Sequence, residues 1–188
     1  MLKCTVKILS FDPGLTCTGW ALTEYNTTTG KAFVSKRGKI EGKRALNKYK
    51  EKLVLFNKSY IQLTHLEEEL FNLMRYKPDY VVTESAFWQP GRTAAYAALV
   101  LCIHTIERVI GTNLGLPVFK LAPQCIKRIV TDHGQASKIT VQEAILLNPD
   151  IELKETKQNP IEKMVEHEAD AIACAWAFIK CDLPSIIV

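Results

Sequence analysis

Three acidic residues stand where carboxylates from remote parts of the chain can meet. Asp12 follows the apolar run Ile8-Leu9-Ser10-Phe11 and opens Asp12-Pro13-Gly14. Glu84 closes the run Tyr80-Val81-Val82-Thr83. Asp170 lies in Glu166-His167-Glu168-Ala169-Asp170-Ala171, with His167 three residues earlier and so on the same helical face. Gathered carboxylates repel one another unless cations neutralise them, so the set points to divalent metal. Metal beside a basic surface points to phosphodiester chemistry. Each piece alone has a plainer reading: a turn after a strand, a surface glutamate, a solvated helical pair. Their combination, in this order and on these elements, carries the signal. Three carboxylates and one imidazole suit two Mg²⁺ ions about 3.5–4 Å apart, one to activate an attacking water and one to stabilise a departing 3′ oxygen.

The elements that must position these groups follow from period and punctuation. Residues 4–12, 18–25 and 32–40 read as strands, with the turn cluster Asn26-Thr27-Thr28-Thr29-Gly30 between the second and third. Residues 44–76 carry helical periodicity, as one helix or two, and 80–84 is a short central strand. A helix is expected over 93–110, stopped by Gly111, and its first half is alanine-rich. A strand over 117–121 precedes a helix opened by Ala122-Pro123 and a shorter one over 137–147. Residues 148–158 read as a polar loop. Asn159-Pro160-Ile161-Glu162 combines a cap, a first-turn proline and an N3 glutamate for a last helix reaching about Lys180. This order predicts an α/β fold: a mixed five-stranded sheet, made of a three-strand antiparallel meander plus two parallel strands, with helices on both faces. Strand ends in such sheets collect functional groups, and Ala171, Ala173 and Ala177 let the last helix lie close on the sheet.

The 188 residues suit a single domain, 1–188, and the hydrophobic fraction of 47% is ordinary for a globular chain. No apolar run reads as long enough to span a bilayer, and the start lacks a signal-peptide core, so a cytoplasmic protein without a membrane partner is expected. The cysteines at 4, 17, 102, 125, 174 and 181 lack finger spacing, so buried reduced thiols are expected rather than a zinc site. The net charge of +4 permits nucleic-acid binding without demanding it. Lys36, Arg37, Lys39, Lys43, Arg44, Lys48, Lys50, Lys52 and Lys58 crowd one stretch, which suits either a solvated face or a DNA-tracking surface.

With these residues in view, the chain resembles the RuvC-type Holliday-junction resolvases of the ribonuclease H-like superfamily. Asp12-Pro13-Gly14 followed by Thr18-Gly19-Trp20-Ala21-Leu22 resembles the first motif, and Pro78 to Glu84 the second. Ile126 to Thr131 through Gly134-Gln135-Ala136-Ser137-Lys138 resembles the basic segment, and His167-Glu168-Ala169-Asp170-Ala171 the closing motif. The resemblance covers nearly the whole chain in order. It implies a ribonuclease H-like fold and a homodimer that cuts paired strands of a four-way DNA junction in recombination, repair or replication, leaving 5′-phosphate and 3′-hydroxyl ends. It implies Mg²⁺, with Mn²⁺ as a substitute, held by Asp12, Glu84, His167 and Asp170. It brings Lys127 and Lys138 to the scissile phosphate or backbone, where cations stabilise the added negative charge of the transition state. The loop after Glu84 carries Phe87, Trp88 and Arg92. Phe87 matches the family's wedge position, and an aromatic there can stack on an unpaired base, worth roughly 1–3 kcal/mol per base. Arg128 joins the DNA-facing cations. The homodimer is expected through helix 93–110 with Leu99, Leu101 and Ile103.

Asp132-His133 stands where the family tends to small or apolar residues, and the lysine-rich stretch is longer than its usual counterpart. Both departures suit a phage-borne relative acting in an infected host cell, with relaxed selectivity for flaps, forks and other branched DNA. Two other classes compete. An actin–hexokinase-type kinase shares the local Asp12-Pro13-Gly14-Leu15-Thr16 pattern, but the chain has no second glycine-rich phosphate loop and only 9 glycines. A catalytically silent junction binder is disfavoured because all four ligand positions are filled.

Overall fold

The computed structural model describes residues 4–155 and 160–186. The strands are β1 (Thr5–Asp12), β2 (Cys17–Asn26), β3 (Ala32–Glu41), β4 (Tyr80–Glu84), β5 (Val118–Leu121) and β6 (Ile151–Leu153). The helices are α1 (Gly42–Lys48), α2 (Lys58–Met74), α3 (Thr93–Leu114), α4 (Pro123–Thr131), α5 (Lys138–Leu147), α6 (Glu166–Cys181) and α7 (Leu183–Ile186). Short 3-10 turns cover Lys50–Val54 and Ile161–Lys163.

The sheet order is β5-β4-β1-β2-β3-β6. The meander β1-β2-β3 is antiparallel, and β4 and β5 add to it in parallel beside β1. The expected five strands become six, because β6 pairs in parallel with the start of β3 (Ala32 opposite Ile151). Only Ile151 of this strand is buried, and three residues inside a polar run give too short an alternation to register as a strand.

Strand β1 is buried on both faces, as a central strand must be. Val6 and Ile8 enter one apolar cluster with α4, α5 and α6, while Leu9 and Phe11 enter a second with α2 and α3. In β4, Val82 joins the first cluster and Val81 the second. Helix α6 is buried almost all round, from Glu168 to Ile179. Its alanines at 169, 171, 173, 175 and 177 are at most 1% exposed, which brings its backbone close to the sheet.

Local features set the element boundaries, some as one of the expected alternatives and some against expectation. The 44–76 segment splits, because the Asn57 side chain accepts from the Tyr60 backbone N–H (2.8 Å) and caps a new helix at α2. Helix α3 runs through Gly111, which is exposed and unstrained, and stops at Gly115, whose φ of +66° terminates helices readily. At 22 residues α3 is long and apolar enough to cross a membrane by length and composition, contrary to the sequence reading. One face of its second half, with Cys102, Ile106, Val109 and Ile110, packs in the core beside α2. The cap expected at Asn159 lies outside the described residues. Pro160 precedes a 3-10 turn that contains Glu162, so neither begins α6. That helix starts at Glu166 after Val165, whose N–H is accepted by the Glu168 carboxylate (3.2 Å).

Candidate active site

Pleat and register decide where the acids point. Alternate residues of a strand share a face. Val6 and Ile8 face α6, so Asp12 does too; Tyr80 and Val82 face α6, so Glu84 does too. Strands β1 and β4 run parallel with Phe11 opposite Thr83, one residue before both acids. Asp12 and Glu84 therefore leave adjacent strand ends toward the first turns of α6, which present His167 and Asp170. All four side chains line one cleft of about 700 Å³. The positive end of α6 favours the negative charge gathered there.

The closest contact joins His167 Nδ1 to Asp12 Oδ2 at 2.6 Å. This hydrogen bond raises the His167 pKa above its ordinary value, against the opposing effect of burial. The Glu84 carboxyl is pushed up to about 8, first by burial and then by the charges of Asp12 and Asp170, with Lys127 and Lys138 pulling it back. Burial and Asp12 likewise push Asp170 up to about 6, while Lys138 opposes them. The floor of the cleft thus holds more negative charge than it stabilises unaided. Hard divalent cations fit this donor set, which offers three carboxylates and one imidazole. Among the described residues no three or more His, Cys, Asp or Glu side chains are already gathered closely enough to hold a metal ion, so these ligands would have to close on a bound cation. Mg²⁺ retains several waters and needs few protein ligands.

Cations and aromatics form the rim. Lys127 of α4 and Lys138 of α5 line the cleft, as do Phe87 and Arg92 from the loop between β4 and α3. Lys138 is ion-paired with Glu166. Phe87 is half-exposed, at 50%, and is not folded onto the core. Trp88 and Arg128 are exposed and do not line the cleft. Sequence reasoning missed the rim residues Thr16, Gln89 and Tyr96, which lack a distinguishing local pattern.

Two residues outside the cleft set its geometry. Arg37, which reads as part of the basic stretch, is buried: its Nε lies 3.6 Å from the Glu168 carboxylate. Its guanidinium also donates to the Lys154 and Pro160 carbonyls (3.2 and 3.1 Å). It ties β3 to the first turn of α6, between His167 and Asp170. Gly19 of β2 lies opposite Asp12, and a Cβ there would stand 1.9 Å from the His167 carbonyl oxygen. Only glycine allows α6 to approach the sheet so closely.

Elsewhere the sequence expectations divide. Lys39 and Arg44 pair with Glu41, and Lys48 with Glu68, so part of the basic stretch is internally neutralised. Cys102 and Cys174 are buried, whereas Cys4 and Cys181 are exposed, contrary to uniformly buried thiols. On α3, Leu101 (46%) and Val100 (39%) are exposed, but Ile103 (5%) belongs to the core and is not available to a partner.

Residues 8–178 match the family model described as crossover junction endodeoxyribonuclease RuvC. A relative so named from Chlorobium phaeovibrioides is 30% identical over 131 residues, covering 70% of this chain and 62% of that protein's length. Another from Rhizobium johnstonii is 28% identical over 157 residues, 81% of this chain and 83% of that protein. Among solved structures, Thermus thermophilus RuvC in complex with a Holliday junction substrate shares the fold with a TM-score of 0.68 at 19% identity, covering 92% of each chain. The yeast mitochondrial Holliday junction resolvase does so with a TM-score of 0.63 at 12% identity, covering 95% of this chain and 80% of that one.

Proposed function

The chain belongs to the RuvC family of crossover junction endodeoxyribonucleases, and from that premise we propose that it is an endodeoxyribonuclease that resolves four-way DNA junctions by hydrolysing phosphodiester bonds. One observation carries the reading: Asp12, Glu84, His167 and Asp170 line the same cleft as Lys127 and Lys138. The three carboxylates and His167 of the floor would hold two Mg²⁺ ions, which Mn²⁺ could replace. When bound, these ions supply the charge that polarises a phosphate and a water for in-line attack.

The chain's own groups do the rest. Lys127 and Lys138 face the phosphate and offset the negative charge that builds on it, an effect amplified where water is excluded. Glu166 holds the Lys138 ammonium in place. The Asp12–His167 contact orients both side chains toward the reacting phosphate. Phe87 enters the junction centre and stacks on an exposed base, while Arg92 meets the backbone beside it. The products carry 5′-phosphate and 3′-hydroxyl ends.

Paired cutting requires two such clefts, and a homodimer supplies them. The exposed alanine-rich start of α3, with Val100 and Leu101, is the apolar surface suited to it. Such a dimer works wherever four-way junctions form, in the bacterial cytoplasm or a phage-infected cell.

Labelled four-way junctions, flaps, forks and plain duplexes incubated with Mg²⁺ test the reading. Symmetric nicks in opposite strands of the junction are expected. Equal cutting of all four substrates, or none with either metal, would overturn it.

A further inference from the structure

A second surface carries the chemistry of nucleic-acid contact outside the cleft. Between residues 42 and 60 the chain has six cations and one acid, Glu51. The 3-10 turn Lys50–Val54 has no buried residue. Beside it Phe56 and Tyr60 stack on one another, with ring centroids 4.7 Å apart and planes at 17°. Phe56 precedes the cap Asn57, a position that often staples a helix start by packing inward on the residue five further on. Here both rings stay open to solvent, at 41% and 53%. They border a cavity of about 150 Å³ shared with Tyr49, Lys52, Ile61 and Thr64. The Lys48 and Lys52 ammonium groups lie 4.8 and 4.7 Å from the Tyr49 ring centre. Lys50, Lys52 and Lys58 make no ion pair among the described residues.

We infer that this shoulder, formed by α1, the 3-10 turn and the start of α2, is a second DNA subsite. It takes single-stranded DNA, stacking one unpaired base on the Phe56–Tyr60 pair and holding the flanking phosphates with Lys50, Lys52 and Lys58. Open aromatic faces interleaved with cations are the arrangement that binds single strands with little base preference. Charge selects this occupant over an apolar protein surface. A protein covering Val54 and Leu55 (87% and 79% exposed) would strip water from the neighbouring ammonium groups without returning countercharge, whereas phosphates return it directly. The position suits a strand leaving the cleft: the Gly42 N–H donates to the Thr16 carbonyl (2.9 Å), and Thr16 lines the cleft. Seven-residue α1 spans about 10 Å from there toward the aromatic pair.

The inference rests on the DNA reading above, and the experiment separates the two. Full-length parent protein, the Phe56→Ala/Tyr60→Ala variant and the Lys50→Glu/Lys52→Glu/Lys58→Glu variant are titrated with a labelled oligothymidylate in chelator, by fluorescence anisotropy across a salt series. Nicking of a fully paired junction and the sedimentation of each protein are measured alongside. The aromatic variant should bind the oligonucleotide roughly tenfold more weakly. The lysine variant should also bind more weakly, with a shallower salt slope. Both should nick the junction within about twofold of the parent rate, since the stacked pair and lysines lie off the cleft. Unchanged oligonucleotide affinity in both variants would overturn the subsite. So would a fall in oligomeric state, which would make the shoulder an interface between copies. A parent that binds oligothymidylate through the shoulder but never nicks junctions would refute the nuclease and leave the subsite standing.

Discussion

At the floor of the cleft, Asp12 and Glu84 end strands whose preceding residues, Phe11 and Thr83, are 0% exposed, and His167 is held by a helix that is core on nearly every side. On the α1–α2 shoulder, Lys52, Phe56 and Tyr60 stand on or beside a turn that buries none of its own residues. The floor is positioned before any ligand arrives, because moving one of its acids means moving the core. The shoulder has only the chemistry of its exposed side chains. Substitution should therefore damage reaction rate or fold stability at the floor, and substrate affinity alone at the shoulder.

The sharpest way to break that contrast is Asp12→Asn. It removes the charge proposed to face the metal with little change of shape, so junction cleavage should fall by about three orders of magnitude while junction binding stays near the parent value. A residual rate within tenfold of the parent would remove Asp12 from the ligand set. Next comes Arg37→Met, which leaves Glu168 buried without its partner. Loss of one member of a buried pair costs about 3 kcal/mol, so urea unfolding should show that drop with its slope unchanged. A stability within 0.5 kcal/mol, about the size of ordinary surface effects, would show that α6 does not depend on this tie. Phe87→Ala falls between floor and shoulder. It should slow junction cleavage roughly tenfold under saturating protein and weaken binding by less, because the proposed wedge would act in the distorted, cut-ready state. Equal losses in both would reduce Phe87 to a packing residue.

The smallest effect is a pH dependence. Glu84 and Asp170 are pushed up to about 8 and 6, and His167 is raised as well. All three groups hold protons more tightly in the folded protein than in the unfolded chain. Glu84 and Asp170 therefore favour the metal-free fold below the ordinary carboxylate range and lose that contribution as pH rises through 6 and 8, while His167 loses its own as pH rises above the ordinary imidazole range. Divalent metal replaces the protons, so the gain in Tm on adding Mg²⁺ should be larger at pH 8 than at pH 5, by on the order of a few degrees. Calorimetry with and without chelator measures it, and an equal gain at both values would place the cation elsewhere.

The floor was legible because its signals are local. Apolar runs ending in an acid mark the central strands, and His-x-x-Asp on an alanine-rich helix marks the closing face. Arg37 shows what local pattern misses. It sits among lysines that face solvent, and strict alternation from the buried Ala32 and Val34 would turn it outward. A bulge pairs Thr23 with Val34 but Leu22 with Lys36, which shifts the register and turns Arg37 inward. Nothing in residues 32–41 announces that bulge. Strand β6 escaped for a different reason, because a three-residue edge strand exists only where a partner edge is already built. Gly111 misled because a glycine inside a helix and one that ends it look alike, and the left-handed backbone at Gly115 distinguishes them only in space.

The narrow seat at Gly19 has one more implication. A single methyl group there would act as a wedge under the first turn of α6, lifting His167 and Asp170 off the acids while leaving every ligand residue in the sequence intact. Such a chain would still carry each motif by which its relatives are recognised, yet would grip branched DNA without severing it.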